Sequence, residues 1–214
     1  MKVAIIDYGM GNLFSVQHAF KYLEAYAIQT SSKKDILGAD AVILPGVGAF
    51  GEAMKALKRL DLVGVLKDVA AQGKPFLGIC LGIQLLMSES FEFGHHEGLN
   101  IIEGSVVRFG QERQKKPEYK IPEVGWNRIH ATLHRSWNST PLRGLKKGTF
   151  VYFVHSLYVK PKDASVTLSV SRYGDTEFCS SLLSDNIFGC QFHPEKSGTV
   201  GLKILKQFLE RVAS

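Results

Sequence analysis

Of the 214 residues, 45% are hydrophobic and 21% are charged, enough apolar material for a packed core and too little polarity for a disordered chain. No apolar run approaches the roughly 18 residues a membrane-crossing helix needs, and residues 1–7 meet a charge after too short a run for a signal peptide, so a cytosolic protein with no membrane partner is expected. The net charge of +6 leaves nucleic acid, an anionic small molecule and an acidic protein partner all open.

In chain order, a β-branched run over 2–6 stops at Gly9-Met10-Gly11-Asn12. Leu13, Val16, Phe20 and Leu23 then recur at helical spacing behind Asn12 as N-cap. A second strand, 41–44, stops at Pro45-Gly46-Val47-Gly48, with helical patterns over 49–59 and 62–71. A third strand, 75–79, runs into Cys80, and 81–88 reads as a helix. Strand–turn–helix repeated three times predicts an open, mostly parallel sheet with flanking helices. Beyond residue 100 the pattern changes to short strands, at 101–109, 125–129, 149–154, 166–171, 178–183 and 187–192, followed by one helix over 198–212. No linker separates the halves, so 1–214 is expected to be a single α/β domain, its parallel sheet extended by antiparallel strands.

Three local patterns carry chemistry. Gly78-Ile79-Cys80-Leu81-Gly82 between a strand and a helix has the form of a nucleophile elbow with cysteine in place of serine. Such a turn is expected to leave Cys80 exposed at a helix N-terminus, where free N–H groups favour thiolate, with the Leu81 amide aimed at the same spot. A thiol that attacks an acyl carbon needs a base, and the base needs an orienting acceptor. His193-Pro194-Glu195, at the end of an apolar strand, supplies both. At the end of the second strand, the glycines flanking Val47 permit a peptide flip that would aim an amide at a developing oxyanion.

Taken in order, Pro-Gly-Val-Gly, Gly-Ile-Cys-Leu-Gly-Ile-Gln and Phe-His-Pro-Glu resemble the class I, triad-type glutamine amidotransferases. Asp7-Tyr8-Gly9-Met10-Gly11-Asn12, residues 44–49, Gly125-Trp126-Asn127, Tyr152-Phe153-Val154-His155-Ser156 and residues 191–197 are similar to the glutaminase subunits of imidazole glycerol phosphate synthases. The resemblance implies hydrolysis of L-glutamine through a γ-glutamyl thioester, without cofactor or metal. It implies that ammonia is channelled to a (β/α)8-barrel cyclase partner that makes imidazole glycerol phosphate in histidine biosynthesis. It implies Cys80 as nucleophile, His193 as base and acid, Glu195 as its orienting group, and Val47, Gly48 and Leu81 as the oxyanion hole. Gly48, Gln84 and Ser156 would contact the substrate, and Trp126, Tyr152 and Lys196 would face the partner. Two features depart from this pattern. Leu157 stands where the family continues with an aromatic residue after His155-Ser156. The segment 92–98, with Phe188-Gly189-Cys190 and Lys196-Ser197-Gly198, is more similar to paralogues that feed a sugar-modifying amidotransferase in surface-polysaccharide synthesis.

Other signals are weaker. Gly9-Met10-Gly11 fails the dinucleotide fingerprint because Phe14 holds the third glycine position. His95-His96 has no further ligand beside it and reads as a solvated loop, while Cys179 and Cys190 lie in strand-like runs and read as core. Four cations within 113–120, with Arg143, Lys146 and Lys147, are the case for a nucleic-acid binder, but the tract has only one aromatic and no reader motif and reads as solvated surface or a face steering an acidic partner. A stand-alone cysteine amide hydrolase is the remaining rival, and it predicts full activity from the chain alone.

Overall fold

The computed structural model describes residues 1–110, 119–133 and 135–212. Most of the basic tract, residues 113–118, therefore lies outside the described residues. The chain runs β1 (Lys2–Ile6), α1 (Leu13–Tyr22), β2 (Tyr26–Thr30), α2 (Lys33–Leu37), β3 (Ala41–Gly46), α3 (Phe50–Arg59), α4 (Val63–Ala71), β4 (Phe76–Cys80) and α5 (Leu81–Leu85). It continues through β5 (Glu89–Ser90), β6 (His96–Glu97), β7 (Gly104–Arg108), β8 (Glu123–Ala131), β9 (Thr149–His155), β10 (Leu157–Pro161), β11 (Thr167–Tyr173), β12 (Thr176–Ser184), β13 (Ile187–Cys190) and α6 (Gly198–Glu210).

The sheet order is β2-β1-β3-β4-β13-β12-β10-β7-β5-β6, with β11 joining β12 to β8 and β9. From β2 to β13 the strands are parallel, and beyond β13 antiparallel pairing dominates. β13 is the seam, parallel to β4 on one side and antiparallel to β12 on the other. The parallel strands β3 and β4 are buried on both faces, as helix-covered strands must be. Alternation along β1 divides the core: Ala4 and Ile6 pack toward α3 and α4, with Phe50, Leu57 and Leu66, whereas Val3 and Ile5 pack toward α1 and α6, with Phe20, Leu205 and Phe208. Asn12 caps α1, its side chain accepting from the Ser15 amide.

Several boundaries differ from expectation for identifiable reasons. The helix expected over 81–88 ends at Leu85 because tertiary donors take its next carbonyls: Leu85 O accepts from Leu99 N, Leu86 O from Ile101 N and Ile102 N, and Met87 O from Asn100 N. The same bonds remove 101–103 from the strand expected to start at residue 101, and β7 begins at Gly104. β2 and α2 were not expected. β2 is a half-exposed edge strand and α2 a five-residue helix, both too short for a periodic signal.

Candidate active site

Parallel strands that end together bring distant motifs to one edge. Gly46, last in β3, pairs with Cys80, last in β4, and Cys190, last in β13, pairs with Ile79. The loop 47–49, the start of α5 and the His193 turn therefore leave the sheet side by side, at the edge where open α/β folds bind ligands.

Cys80 turns the chain from strand to helix in a single residue, with φ of 54° and ψ of −107°, a left-handed conformation unusual for a side chain other than glycine. The flanking glycines are demanded by space. A Cβ at Gly82 would lie 1.7 Å from Leu44 O, and one at Gly78 would lie 2.9 Å from Ile83 N. The structure corrects one expectation: Cys80 is not exposed but only 5% accessible, because the antiparallel half closes over it. Its thiol donates to Val154 O at 3.7 Å, and Gln191 Nε2 donates to its sulfur at 3.8 Å.

His193 lies beside the same sulfur. Its Nδ1 is 2.7 Å from Glu195 Oε1, with both side chains almost wholly buried. Its Nε2 is buried and holds no hydrogen bond. Burial alone would lower the imidazole pKa, but the negative charge of the nearby Cys80 sulfur, joined by the Glu195 carboxylate, outweighs that and holds His193 at about 10. The turn carrying this residue is stitched to β9. His193 N donates to Tyr152 O at 2.9 Å, Tyr152 N donates to Ser197 Oγ at 3.0 Å, and Ser197 Oγ donates to His193 O at 2.7 Å. The other two thiols are inert by burial, which pushes Cys179 up to about 12 and Cys190 well above the ordinary thiol range.

The loop 47–49 has unengaged donors: among the described residues the amides of Val47, Gly48 and Ala49 donate no hydrogen bond. Gly48 has φ of +117°, and a Cβ there would lie 2.7 Å from Met10 Cε, so the β1–α1 turn rests against this loop. Both ends are pinned. Tyr8 Oη donates to Pro45 O at 2.8 Å, and Phe50 N, at the start of α3, donates to Glu92 Oε2 at 2.6 Å. Burial, with the Cys80 charge as the second cause, raises the Tyr8 phenol far above its usual range and keeps it a donor.

Of the remaining predicted residues, Leu81 follows Cys80 at the start of α5 and is buried. Gln84, also buried, donates through Nε2 to Leu157 O and to Gln191 Oε1, both at 3.1 Å. Ser156 is half-buried between β9 and β10, two residues past the carbonyl that meets Cys80. Trp126 and Tyr152 pair across β8 and β9 with ring centroids 6.1 Å apart, Trp126 being 56% exposed, and Lys196 is exposed beside the His193 turn. His95 pairs with Glu89 at 2.9 Å, and no His/Cys/Asp/Glu group able to hold a metal occurs among the described residues. No helix among the described residues is long and apolar enough to cross a membrane.

Sequence reasoning missed Tyr8, Glu92, Gln191 and the buried pair His155 Nε2–Glu123 Oε2, 3.0 Å apart. Only Gln191 had a legible signal, as a polar residue at the end of an apolar run.

A strand-to-helix cysteine beside a buried histidine–carboxylate pair has the make-up of a cysteine-dependent acyl-transfer site, and the family match agrees with that class. A family model described as glutamine amidotransferase class-I matches residues 4–212, so this chain is a class I glutamine amidotransferase. Among its relatives, the imidazole glycerol phosphate synthase subunit HisH of Syntrophotalea carbinolica is 49% identical over 208 residues, covering 96% of this chain and 98% of that one. The HisH 1 subunit of Legionella pneumophila (strain Paris) is 44% identical over 209 residues, covering 97% and 98%. The fold is shared with a crystal structure of a glutamine amidotransferase at TM-score 0.73 and 20% identity, covering 99% of each chain. It is also shared with a chain of PurLQS from Thermotoga maritima at TM-score 0.71 and 19% identity, covering 98% of each.

Proposed function

We propose that this chain acts as one amidotransferase unit, the glutaminase subunit of an imidazole glycerol phosphate synthase, which hydrolyses L-glutamine and passes ammonia to a (β/α)8-barrel cyclase. The relatives named above favour that acceptor over a sugar-modifying one. The observation that carries the chemistry is the buried His193–Glu195 pair, 2.7 Å apart, beside the strand-to-helix turn at Cys80.

His193 takes the proton of the Cys80 thiol, giving a thiolate beside an imidazolium. The Cys80 sulfur attacks the glutamine side-chain carbon, and the carbonyl electrons move onto oxygen. The Leu81 amide and the Val47-Gly48 peptide, the latter with unengaged donors, stabilise that oxyanion, each such donor being worth on the order of 10²–10³ in rate. His193 gives its proton to the leaving nitrogen as the C–N bond breaks, releasing ammonia and leaving the γ-glutamyl thioester. The now neutral imidazole takes a proton from water, the hydroxyl adds to the thioester carbon, and the C–S bond breaks with its electron pair returning to sulfur. Glu195 holds Nδ1 throughout, so that Nε2 does the proton transfers. Gln84 spends its Nε2 hydrogens on Leu157 and Gln191, which leaves Oε1 to accept from the substrate, with Gly48 and Ser156 alongside.

Trp126, Tyr152 and Lys196 form the partner-facing side in this reading, Lys196 meeting carboxylates on the barrel. The rest of the +6 charge is solvated surface, and the three unpaired cysteines suit the cytosol. The test is glutamate release by the chain alone and with its barrel partner plus the partner's ligand. Low activity alone and strong activation in the complex are expected. Cys80→Ala should cut glutamine-dependent turnover by at least about a thousandfold while ammonia-dependent synthesis by the complex persists. Full activity from the isolated chain would instead support a stand-alone hydrolase.

A further inference from the structure

We propose that Gln191 is a catalytic residue of this site: its side-chain N–H donates to the Cys80 sulfur, and its orientation is imposed by the Leu157 carbonyl acting through Gln84. The proposal rests on the reading of Cys80 as the nucleophile.

Gln191 is completely buried, directly after the four apolar-lined residues of β13, and its backbone N–H donates to Ser180 O at 2.9 Å. A buried amide must place both its ends, and here the ends are decided by neighbours rather than free to exchange. A carbonyl oxygen only accepts, so Gln84 must turn Nε2 toward Leu157 O, 3.1 Å away. The second hydrogen of that NH₂ group goes to Gln191 Oε1, also at 3.1 Å. With its oxygen committed, Gln191 has only N–H to present to Cys80 Sγ at 3.8 Å. Reversing Gln191 would set two NH₂ groups against each other. The chain Leu157 O–Gln84–Gln191–Sγ therefore has one polarity and delivers a donor to the sulfur.

The other neutral contact on the sulfur works in the opposite sense. Val154 O, 3.7 Å away, can accept from a thiol but offers nothing to a thiolate. Gln191 counters that carbonyl and supports sulfur in the two states where it carries charge. These are the thiolate formed when His193 takes its proton and the moment when the C–S bond of the thioester breaks and its electron pair returns to sulfur.

The experiment is the alkylation of Cys80 by iodoacetamide, followed by mass spectrometry of its peptide, in the full chain without glutamine. At pH 7, Gln191→Met, similar in length but without a donor, should slow alkylation about threefold to tenfold and move its pH profile toward alkaline pH. Gln191→Glu should slow it further, since a carboxylate then faces the sulfur. Gln84→Met, which frees Gln191 to rotate, should give a smaller change in the same direction. An unmoved profile in a folded Gln191→Met chain would overturn the proposal. If that variant does not fold, an unmoved profile in Gln84→Met overturns it instead. Because no glutamine is present, a chain with normal Cys80 reactivity that fails to hydrolyse glutamine counts against the glutaminase reading and leaves this one standing.

Discussion

In the parallel half of the sheet, the candidate site residues are placed by backbone sterics. Gly78 and Gly82 let α5 close onto β3 and β4, Cys80 adopts a strained turn, and Gly48 a positive φ. In the antiparallel half, placement is by carbonyls and buried polar side chains. Val154 O meets the sulfur, Leu157 O aligns Gln84, and Glu123 lies against His155, which is itself bonded through Nδ1 to Leu157 O at 2.7 Å. The first kind of placement tolerates almost no added volume. The second tolerates volume but not an unpaired polar group. His193 follows β13, the strand shared by both halves, and so inherits both constraints.

The sharpest way to break this contrast is Gly82→Ala. No rotamer can absorb a Cβ placed 1.7 Å from Leu44 O, so the variant is expected to lose roughly 4 kcal/mol in denaturant unfolding, together with glutaminase activity. A loss below about 1 kcal/mol would show that the elbow is pliant. In the antiparallel half, Glu123→Ala strands a histidine whose side chain is 2% exposed and should cost about 3 kcal/mol. Adding His155→Phe should recover part of that loss, because the aromatic rings of Phe109, Phe153 and Phe178 already surround the site.

At the seam, the prediction concerns pH. His193 is raised from 6.5 to about 10 in the folded state, so its contribution to stability is complete below about 6.5 and is lost as pH rises through about 10. Removing the sulfur by Cys80→Ala deletes the largest cause that raises it, and ¹⁵N NMR of the ring should then record a lower midpoint. An unchanged midpoint would mean that Glu195 alone holds the charge. The smallest effect is expected at Glu92→Ala, which removes the acceptor for Phe50 N at the start of α3 and should cost about 1 kcal/mol in thermal or chemical unfolding. A larger loss would indicate that the loop 47–49 depends on this anchor as heavily as the elbow depends on its glycines.

This division also explains what could be read from residues alone. The elbow, the strand ends and the glycine loop were legible because steric demands are written locally, as glycines at fixed offsets. The contacts of the antiparallel half were not, because they depend on register between strands far apart in sequence. Val154 is 74 residues from Cys80, and Gln191 is 111. β10 went unread for the same reason: Leu157–Pro161 continues directly from the β9 motif, and only pairing with β7 and β12 makes it a separate strand. The burial of Cys80 follows from that half as well, so a nucleophile expected in the open is roofed over.

The stitching of Tyr152 to the His193 turn has a mechanical consequence. The Tyr152 backbone grips that turn through both its N–H and its C=O, while its ring stands beside Trp126 on the outer face of the hairpin. A load applied to that aromatic pair from outside is carried by two hydrogen bonds into the backbone of His193 and the side chain of Ser197. The hairpin is thus a lever whose outer arm is the pair of rings and whose inner arm is the turn that carries His193.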